Sequence, residues 1–319
     1  MVVTRRNRFM KQRNQDIVSR WEGNPLINIY DLDFKCSDIH NAGVFSFEDE
    51  VLLLVTIEHL SGQRCIHLAR PDADGHYQLD RKPFLGPSAH AKHRQHESRG
   101  VQDARITFLE GAYYIMYNSL GDHGFRLALA RTKDFNSVER IGLISEPDTK
   151  AGALFPAKIK GRYARLERPR DGSSIWVTYS DDLVYWGGSE LVISPREGFW
   201  DANRIGVGAP PIEIDRGWLV LYYGAKDTSA GPIYRIGAAI LDKQEPMYVI
   251  ARTNIPILSP RRNYERIGDV PNVVFPTGAV IDGNNYLDIF YGASNSCICV
   301  GTTTVEKIIE SCVESEGEY

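Results

Sequence analysis

The sequence lacks the features of membrane-spanning and secreted proteins. No apolar run approaches the roughly 18 residues that a membrane span needs, and the first residues contain no apolar segment typical of a signal peptide. A general excess of basic residues is also missing, since 37 Lys and Arg stand against 41 Asp and Glu, a net charge of −4. We therefore expect a cytoplasmic protein that binds small molecules rather than nucleic acid or membranes, with a homo-oligomer left open.

Cysteine is sparse, and its five copies form no disulfide framework. An odd number in a chain of 319 residues favours free thiols in a reducing compartment. No C-x-x-C pair suggests zinc, and the single residue between Cys297 and Cys299 places both on one face of a strand. His90, His93 and His96 have helical spacing in a polar stretch, which we interpret as a mobile lid loop rather than a metal site.

Motifs of several enzyme classes are absent. The chain has no G-x-G-x-x-G fingerprint, no Walker sequence and no G-x-S-x-G element. All eight histidines precede residue 124, so a Ser-His-Asp arrangement would have to draw on that part of the chain. These absences exclude dinucleotide and P-loop chemistry, and we expect neither a cofactor nor a metal.

The sequence does contain a loose internal repeat. Each copy has an apolar segment with small residues, then a turn, then a strand rich in Tyr, Val, Leu and Ile. In the five copies in turn, the apolar segment and its strand lie at 41–45 and 51–56, at 100–107 and 113–117, at 152–159 and 163–166, at 208–214 and 218–223, and at 272–280 and 286–291. A further strand follows at 65–70, 127–131, 175–180, 236–241 and 297–303. Five copies of about 50 to 70 residues predict an all-β fold, a five-bladed β-propeller with four-stranded antiparallel blades. The alternative is an irregular two-domain β protein.

The sequence predicts one domain preceded by a short basic arm. Five basic residues come before the first acidic one, namely Arg5, Arg6, Arg8, Lys11 and Arg13. Such a segment is typical of a solvated arm. We assign residues 1–20 to this arm and residues 21–319 to a single propeller domain, because no Ser-rich or Gly-rich linker divides the chain. Only Val305–Cys312 reads as a short helix, with Ile308 and Ile309 available for packing.

Polar residues open the innermost strands and are expected to converge on a central active-site pocket. They are Asn41, Asp103, Arg105, Lys150, Lys158, Asn203, Arg204, Glu265, Asp269 and Asn272, with Arg168 at the end of a second strand. Several cations with few carboxylates suit a bound anion, because Arg and Lys make charge-assisted hydrogen bonds to phosphate oxygens. The alternative is that they are surface charges on loops.

Asp103 interrupts a strand-like run, and Arg105 lies two residues further on the same strand face. A nearby guanidinium would lower the pKa of the carboxyl group, whereas desolvation in a channel would raise it. Both a catalytic carboxylate and a structural Asp–Arg pair fit this pattern.

Seven segments together resemble the five-bladed propeller family of β-mannoside phosphorylases and β-mannosidases. They are Gly100–Arg105, Ala153–Ile159, Leu166–Pro169, Ile205–Ile212, Gly217–Gly224, Tyr234–Asp242 and the stretch from Tyr264 to Gly278. The resemblance covers nearly everything from Asn24 to about Ile309. The elements Ile66–Arg70 and Tyr185–Gly187 look most like the branch that acts on β-1,2-linked mannose.

The resemblance implies an inverting β-1,2-mannoside phosphorylase that works reversibly between β-mannosides and mannose 1-phosphate, with inorganic phosphate as co-substrate. Asp103 matches the catalytic acid of the family. Phosphate ligands are implied at Lys150, Arg168 and Arg204, with Tyr223 and Tyr234 beside the anion. Sugar contacts are implied at Asn41, Arg64, Arg105, Asn272, Asn295 and Glu265. Hydrolytic members tend to lack the three cations, which favours phosphorolysis.

The chain also departs from the family pattern, at Gln102, Ala104, Ala157, Glu167, Tyr223 and Asn295. These departures keep three alternatives open. One is a β-1,2-mannosyltransferase with a nucleotide-sugar donor. Another is a β-mannosidase in which Glu265 or Asp269 activates water. The third is a non-catalytic sugar-binding propeller.

Overall fold

The structure, a computed structural model, describes residues 16–314. The strands are β1 (Ser19–Arg20), β2 (Ile27–Asn28), β3 (Asp38–Phe47), β4 (Glu50–Glu58), β5 (Arg64–Pro71), β6 (Tyr77–Leu79), β7 (Gly100–Leu109), β8 (Ala112–Gly121), β9 (Gly124–Thr132), β10 (Glu139–Leu143), β11 (Thr149–Leu154), β12 (Tyr163–Pro169), β13 (Ile175–Ser180), β14 (Trp186–Ile193), β15 (Arg204–Val207), β16 (Ile212–Ile214), β17 (Gly217–Thr228), β18 (Gly231–Leu241), β19 (Val249–Arg252), β20 (Val274–Ile281), β21 (Tyr286–Ala293) and β22 (Cys297–Thr304). The helices are α1 (Ala91–Arg94), α2 (Asn263–Arg266) and α3 (Val305–Glu314), with a 3-10 turn at Ile29–Asp31.

The strands form antiparallel sheets of the predicted kind. Strands β11 to β14 make one four-stranded sheet, and β17 to β19 make another with β15 and β16. Strands β3 to β6 and β7 to β10 form two further antiparallel groups, which a single parallel pairing of Arg64 with Gly100 joins. The all-β class and the four-stranded antiparallel sheets are therefore confirmed. Buried aliphatic and aromatic side chains pack between these sheets.

The last sheet contains strands from both ends of the described chain. Strands β20, β21 and β22 are extended by β1, in which Ser19 pairs with Thr302 and Arg20 with Gly301. The preceding Val18 is buried in the core. Residues 16–20, which the sequence analysis assigned to the basic arm, thus belong to the folded structure. Ser19 and Arg20 extend a sheet, and the N–H groups of Ile17 and Val18 donate to the carbonyl of Ile257. The basic residues of that arm lie outside the described residues.

The C-terminal helix and the cysteines follow the predictions. Helix α3 buries Val305, Ile308 and Cys312 against the core, with Ile309 partly buried beside them. All five cysteines are free thiols, and the Sγ atoms of Cys297 and Cys299 lie 3.9 Å apart on one face of β22.

The histidine-rich segment forms the short helix α1, and the buried Glu97 that follows it accepts hydrogen bonds from Tyr117 Oη and the backbone of Ser88. The mobility of this segment stays a prediction. Within residues 16–314, no group of three His, Cys, Asp or Glu side chains could hold a metal ion. No helix in the same range is long and apolar enough to cross a membrane.

β-Bulges occur in β3, β7 and β11, each of which is the first strand of an antiparallel group. The register shifts between His40 and Ala42 in β3, between Gln102 and Arg105 in β7, and between Lys150 and Ala153 in β11. Each bulge contains a residue with positive φ: Asn41 at 46°, Asp103 at 60° and Ala151 at 53°. A bulge leaves one residue unpaired and changes the direction of its side chain. Asn41 and Asp103 are therefore not paired with a residue of the neighbouring strand, and their side chains do not follow the alternation of their own strands.

Candidate functional site

A cavity of about 650 Å³ gathers most of the residues that the sequence analysis singled out. Ten of the twelve predicted site residues line it, namely Asn41, Arg64, Asp103, Arg105, Lys150, Arg168, Arg204, Tyr223, Tyr234 and Asn295. They come from strands or turns of all four sheets and are brought together only by the fold. Among these ten residues, Asp103 is the one carboxylate, and it shares the cavity with a set of cations and aromatic rings.

Three side-chain amides fix the carboxylate of Asp103. The Nδ2 atom of Asn41 donates to Oδ1 at 2.6 Å. The Nε2 atom of Gln102 and the Nδ2 atom of Asn118 donate to Oδ2, at 2.9 and 2.7 Å. The backbone N–H of Asp103 donates to Thr56 Oγ1 at 3.0 Å. Donors on both oxygens hold the carboxylate in one orientation, which is the requirement for a group that exchanges a proton with a bound substrate.

The environment keeps Asp103 ionised. Burial by itself raises the pKa of Asp103, but His40, Arg105 and the hydrogen bonds from Asn41 and Gln102 outweigh burial and hold this pKa below its ordinary value of 3.8. At neutral pH the carboxylate is therefore the resting form, ready to accept a proton. An anion bound nearby would raise its pKa and favour the protonated form.

Arg105 is a buried cation beside this carboxylate. Its Nε donates to the carbonyl of Gly208, and its Nη1 donates to the carbonyl of Ala104 at 2.9 Å. The guanidinium lies 5.8 Å from the centre of the Phe275 ring. Desolvation lowers the pKa of Arg105 to about 10, which still leaves it charged at neutral pH.

Lys150, Arg168 and Arg204 form a cation cluster in the same cavity. Lys150 and Arg168 are direct cross-strand partners in β11 and β12. Burial first, and then repulsion from Arg168 and Arg204, lower the pKa of Lys150. Among residues 16–314, the buried Nε atoms of Arg168 and Arg204 find no hydrogen-bond partner. Unpaired buried donors are costly, and an anion between these side chains would supply the missing acceptors.

Aromatic rings border the cation cluster. The guanidinium of Arg204 lies 5.4 Å from the centre of the Tyr234 ring, and Tyr223 packs 5.8 Å from Tyr234 and 4.5 Å from Phe275. Burial raises the pKa of Tyr234, so that its hydroxyl stays protonated and able to donate. Asn272 is not part of the lining, and its carbonyl accepts from the backbone N–H of Tyr234 at 3.0 Å. Asn272 thus contacts the site through its backbone.

Glu265 lies outside the cavity, contrary to its prediction as a sugar contact. It is fully buried, and its carboxylate accepts from Arg20 at 2.6 Å, from Tyr291 Oη at 3.0 Å and from the backbone N–H of Arg262 at 2.9 Å. These bonds use both oxygens to fasten β1 to α2 and β21. Asp269, the other predicted water activator, is exposed, does not line the cavity and accepts from Asn295 at 3.3 Å.

Several lining residues were not identified from the sequence as site residues. They are His40, Asn118, Phe125, Asp148, Arg170, Asp171, Ser173 and Phe275. Asn118 is the most consequential of them, because it bonds Asp103. Its register pairing with Gln102 is the signal that could have found it, since the partner of a strand residue next to a catalytic carboxylate lies within reach of it.

The site thus places an oriented carboxylate in one cavity with a cluster of three cations, within an all-β fold. Such a carboxylate can exchange a proton with a bound group, and such cations can hold an anion. The chain belongs to glycoside hydrolase family 130, a family of mannoside phosphorylases, because the family model described as beta-1,4-mannooligosaccharide phosphorylase matches residues 9–314.

Individual relatives point to the same family. The chain is 34% identical over 274 residues to a beta-1,2-mannobiose phosphorylase of Listeria innocua. This match covers 83% of this chain and 75% of the relative. It is 38% identical over 218 residues to a 1,2-beta-oligomannan phosphorylase of a Thermoanaerobacter species, covering 67% and 71%. A solved structure of the Listeria innocua enzyme with beta-1,2-mannobiose superposes with a TM-score of 0.84 at 29% identity, over 93% of this chain and 99% of that one.

Proposed function

We propose that the protein is an inverting β-1,2-mannoside phosphorylase, which transfers mannose reversibly between β-mannosides and inorganic phosphate. The observation that carries the proposal is the pair of buried Nε atoms of Arg168 and Arg204, which have no hydrogen-bond partner in the described part of the chain and lie in the cavity that also contains Asp103. The names of the relatives support mannose as the sugar and β-1,2 as the linkage.

In phosphorolysis, a phosphate oxygen held by Lys150, Arg168 and Arg204 attacks the anomeric carbon of the terminal mannose. The bond between that carbon and the glycosidic oxygen breaks, and Asp103 supplies the proton that the leaving oxygen takes up, relayed through a sugar hydroxyl. Attack from the opposite face inverts the configuration and yields α-mannose 1-phosphate. The negative charge of the bound phosphate raises the pKa of Asp103 and so favours the protonated acid that this direction needs.

The synthetic direction begins with Asp103 ionised. Through the same sugar hydroxyl, Asp103 accepts the proton of the acceptor hydroxyl, the acceptor oxygen bonds to the anomeric carbon, and the bond from that carbon to phosphate breaks, so that phosphate stays in the cation cluster. The three amides that bind the carboxylate favour its charged form, as a general base requires.

Phosphate also removes the need for a second catalytic carboxylate. An inverting hydrolase uses one carboxylate as acid and a second one to activate water. The two residues considered for that second role do not line the cavity, since Glu265 is engaged with Arg20 and Asp269 lies outside. Asp148 and Asp171 do line it, so the preference for phosphorolysis rests on the cation cluster rather than on a lack of carboxylates.

The proposal includes a finer description of the fold. The five antiparallel strand groups that begin with β3, β7, β11, β15 and β20 correspond to five blades, and the cavity is the central pocket between them. The pairing of β1 with β22 supports this arrangement, because an N-terminal strand that completes the last blade ties the two ends of a propeller together.

The function is tested by incubating the purified protein with mannose 1-phosphate and mannose while phosphate release and oligosaccharide formation are followed. We expect equal amounts of phosphate and new β-1,2 linkages. No phosphate release with mannose 1-phosphate, but mannose transfer from a nucleotide sugar, would replace this proposal with the transferase alternative. Binding of β-1,2-mannobiose without any product would support a sugar-binding protein instead.

A further inference from the structure

Gln102 links the carboxylate of Asp103 to the ion pair of Arg64 and Glu58. Its Oε1 atom accepts from Arg64 Nη1 at 2.6 Å, and its Nε2 atom donates to Asp103 Oδ2 at 2.9 Å. Arg64 is held in turn by Glu58, whose Oε2 accepts from the Nε of Arg64 at 2.8 Å. A guanidinium only donates hydrogen bonds, and an ionised carboxylate only accepts them. The amide of Gln102 can therefore satisfy both of its neighbours in one orientation alone.

The two oxygens of Asp103 accept from different numbers of donors. Oδ2 accepts from Gln102 and also from Asn118 Nδ2, the latter at 2.7 Å. Within residues 16–314, Asn41 is the single donor to Oδ1, at 2.6 Å. Each oxygen of a carboxylate has about two lone pairs that can accept a hydrogen bond. The protein therefore uses both sites of Oδ2 and leaves one site of Oδ1 for a bound group.

The two donors to Oδ2 are buried, since Gln102 is 7% exposed and Asn118 is 2% exposed. A proton on Oδ2 would face both amide N–H groups, and these would lose their acceptor. A buried donor without an acceptor is costly, so protonation of Oδ2 is disfavoured. A proton on Oδ1 leaves both of these bonds in place. The hydrogen bonds of the site thus distinguish the two oxygens of one carboxylate.

Cationic and titratable groups surround Asp103, directly or through Gln102. They are His40 of β3, Arg64 of β5, Arg105 of β7 and Lys150 of β11. Strand β4 contributes Glu58, which is paired with Arg64. Strands β8 and β20 also pack against β7, and they contain no charged residue. A carboxylate placed beside Oδ2 would therefore introduce a like charge where the wild type has an amide.

We propose that Arg64 and Gln102 are positioning residues, which reserve Oδ1 of Asp103 as the atom that exchanges the proton. The inference rests on the proposed function, in which Asp103 is the acid and the base. In phosphorolysis, protonated Oδ1 gives its proton to the relaying sugar hydroxyl, and that hydroxyl gives its own proton to the leaving oxygen. In synthesis both protons move in the opposite directions, and Oδ1 is protonated again. Arg64 then acts through Gln102 rather than through a contact with the sugar.

Gln102→Glu tests the amide donor to Oδ2. The variant keeps the size of the side chain and an oxygen that accepts from Arg64, but its second oxygen lies against Oδ2 without an amide proton. The two carboxylates then share a proton, which raises one pKa of the pair. We expect the acidic limb of kcat/KM, for synthesis from mannose 1-phosphate and mannose, to move to higher pH. The matched control Gln78→Glu makes the same change beside Asp72 at the surface and should keep the wild-type profile. An acidic limb at the wild-type pH in Gln102→Glu would overturn the inference.

Arg64→Met separates positioning from a sugar contact. Methionine has a side chain of similar length but cannot donate to Gln102, whose amide is then free to turn away from Asp103. We expect kcat to fall about tenfold, with the KM for mannose near its wild-type value. Arg64→Lys, which restores one donor, should recover part of this loss. Arg70→Met, in an exposed pair with Asp80, is the control and should keep wild-type kcat. Unchanged kcat in Arg64→Met, with or without a raised KM for mannose, would overturn the role of Arg64.

The pH dependence of stability requires no turnover and separates this inference from the proposed function. A group whose pKa is raised on folding stabilises the protein at low pH, and this contribution is lost as the pH rises through the folded value. In urea titrations, Gln102→Glu should therefore lose unfolding free energy relative to the wild type and Gln78→Glu as the pH rises from about 5 to 8. Absence of phosphate release in every protein would reject the phosphorylase, while this difference would still support the positioning of Asp103 by Gln102. Parallel curves for the three proteins would reject the inference whatever the activity.

Discussion

The amide nitrogen of Asn118 lies 2.7 Å from Oδ2 of Asp103, so that a residue on β8 orients the carboxylate presented by the bulge of β7. The same oxygen accepts from Gln102, and the other oxygen accepts from Asn41. Asp103 therefore has neighbours in three strands. Its direction is set by the fold rather than by its own backbone alone.

Replacing Asn118 with alanine should slow catalysis without removing the acid–base group. Loss of one hydrogen bond to a charged carboxylate corresponds to about 1.5–3 kcal/mol, or roughly 10- to 100-fold in kcat. Steady-state kinetics of phosphate release measure this. As a matched control, Asn136→Ala changes an exposed turn residue outside the cavity and should keep wild-type kcat. Wild-type kcat in Asn118→Ala would show that the orientation of Asp103 does not limit the reaction.

Asp103→Asn should lower kcat by about 10²–10⁴-fold, the usual contribution of general acid–base catalysis. Asparagine keeps the size of the side chain but cannot exchange the proton. Circular dichroism should show the wild-type fold. Turnover close to the wild-type value would remove Asp103 from the mechanism.

The same variant tests the lowered pKa of Asp103 through the pH dependence of stability. A carboxyl whose pKa is depressed on folding stabilises the protein above its unfolded pKa, and this contribution is lost as the pH falls through the folded value. The wild type should therefore lose more unfolding free energy than Asp103→Asn as the pH drops below about 3.8. Urea titrations at a series of pH values measure the difference, and parallel curves for the two proteins would contradict the assignment.

Arg168→Ala should weaken phosphate binding selectively. Removing a charge-assisted contact of about 1.5–3 kcal/mol raises the KM for phosphate roughly 10- to 100-fold. Arg131→Ala is the control, since Arg131 is exposed on β9 and pairs with Glu139 at the surface. An unchanged dependence on phosphate in Arg168→Ala would mean that the anion binds elsewhere.

Glu265→Gln tests the structural role of that carboxylate. Glu265 is fully buried and pairs with Arg20 across 245 positions of sequence. Breaking a buried pair from one side costs about 3–5 kcal/mol of unfolding free energy. Chemical denaturation should show this loss, whereas Glu139→Gln, in an exposed pair, should cost less than about 1 kcal/mol. Equal stability of Glu265→Gln and the wild type would argue against the structural role.

The sequence predicted the strands well because each hydrophobic run is local and is bounded by turn residues. The runs at 113–117 and 286–291 lie within β8 and β21. It also predicted the cations of the site other than Arg170, because polar residues that interrupt strand patterns are conspicuous. Neither the bulges at Asn41 and Asp103 nor their positive φ angles could be predicted in this way, since they arise from strand pairing.

Long-range partners explain the remaining differences. Glu265 was expected at the sugar as one of the polar residues that open the innermost strands, whereas its partner Arg20 belongs to a segment that was assigned to the arm. Asn118 resembled an ordinary strand residue, and only the register of β7 with β8 brings it to Asp103. The parallel pairing of Arg64 in β5 with Gly100 in β7 is likewise encoded by no local pattern.

The most direct test of the central claim is the cleavage of β-1,2-mannobiose by the purified protein with and without inorganic phosphate. The account predicts equal amounts of α-mannose 1-phosphate and mannose when phosphate is present, and no cleavage without it. Release of mannose alone, at the same rate in both conditions, would contradict the account and identify a hydrolase.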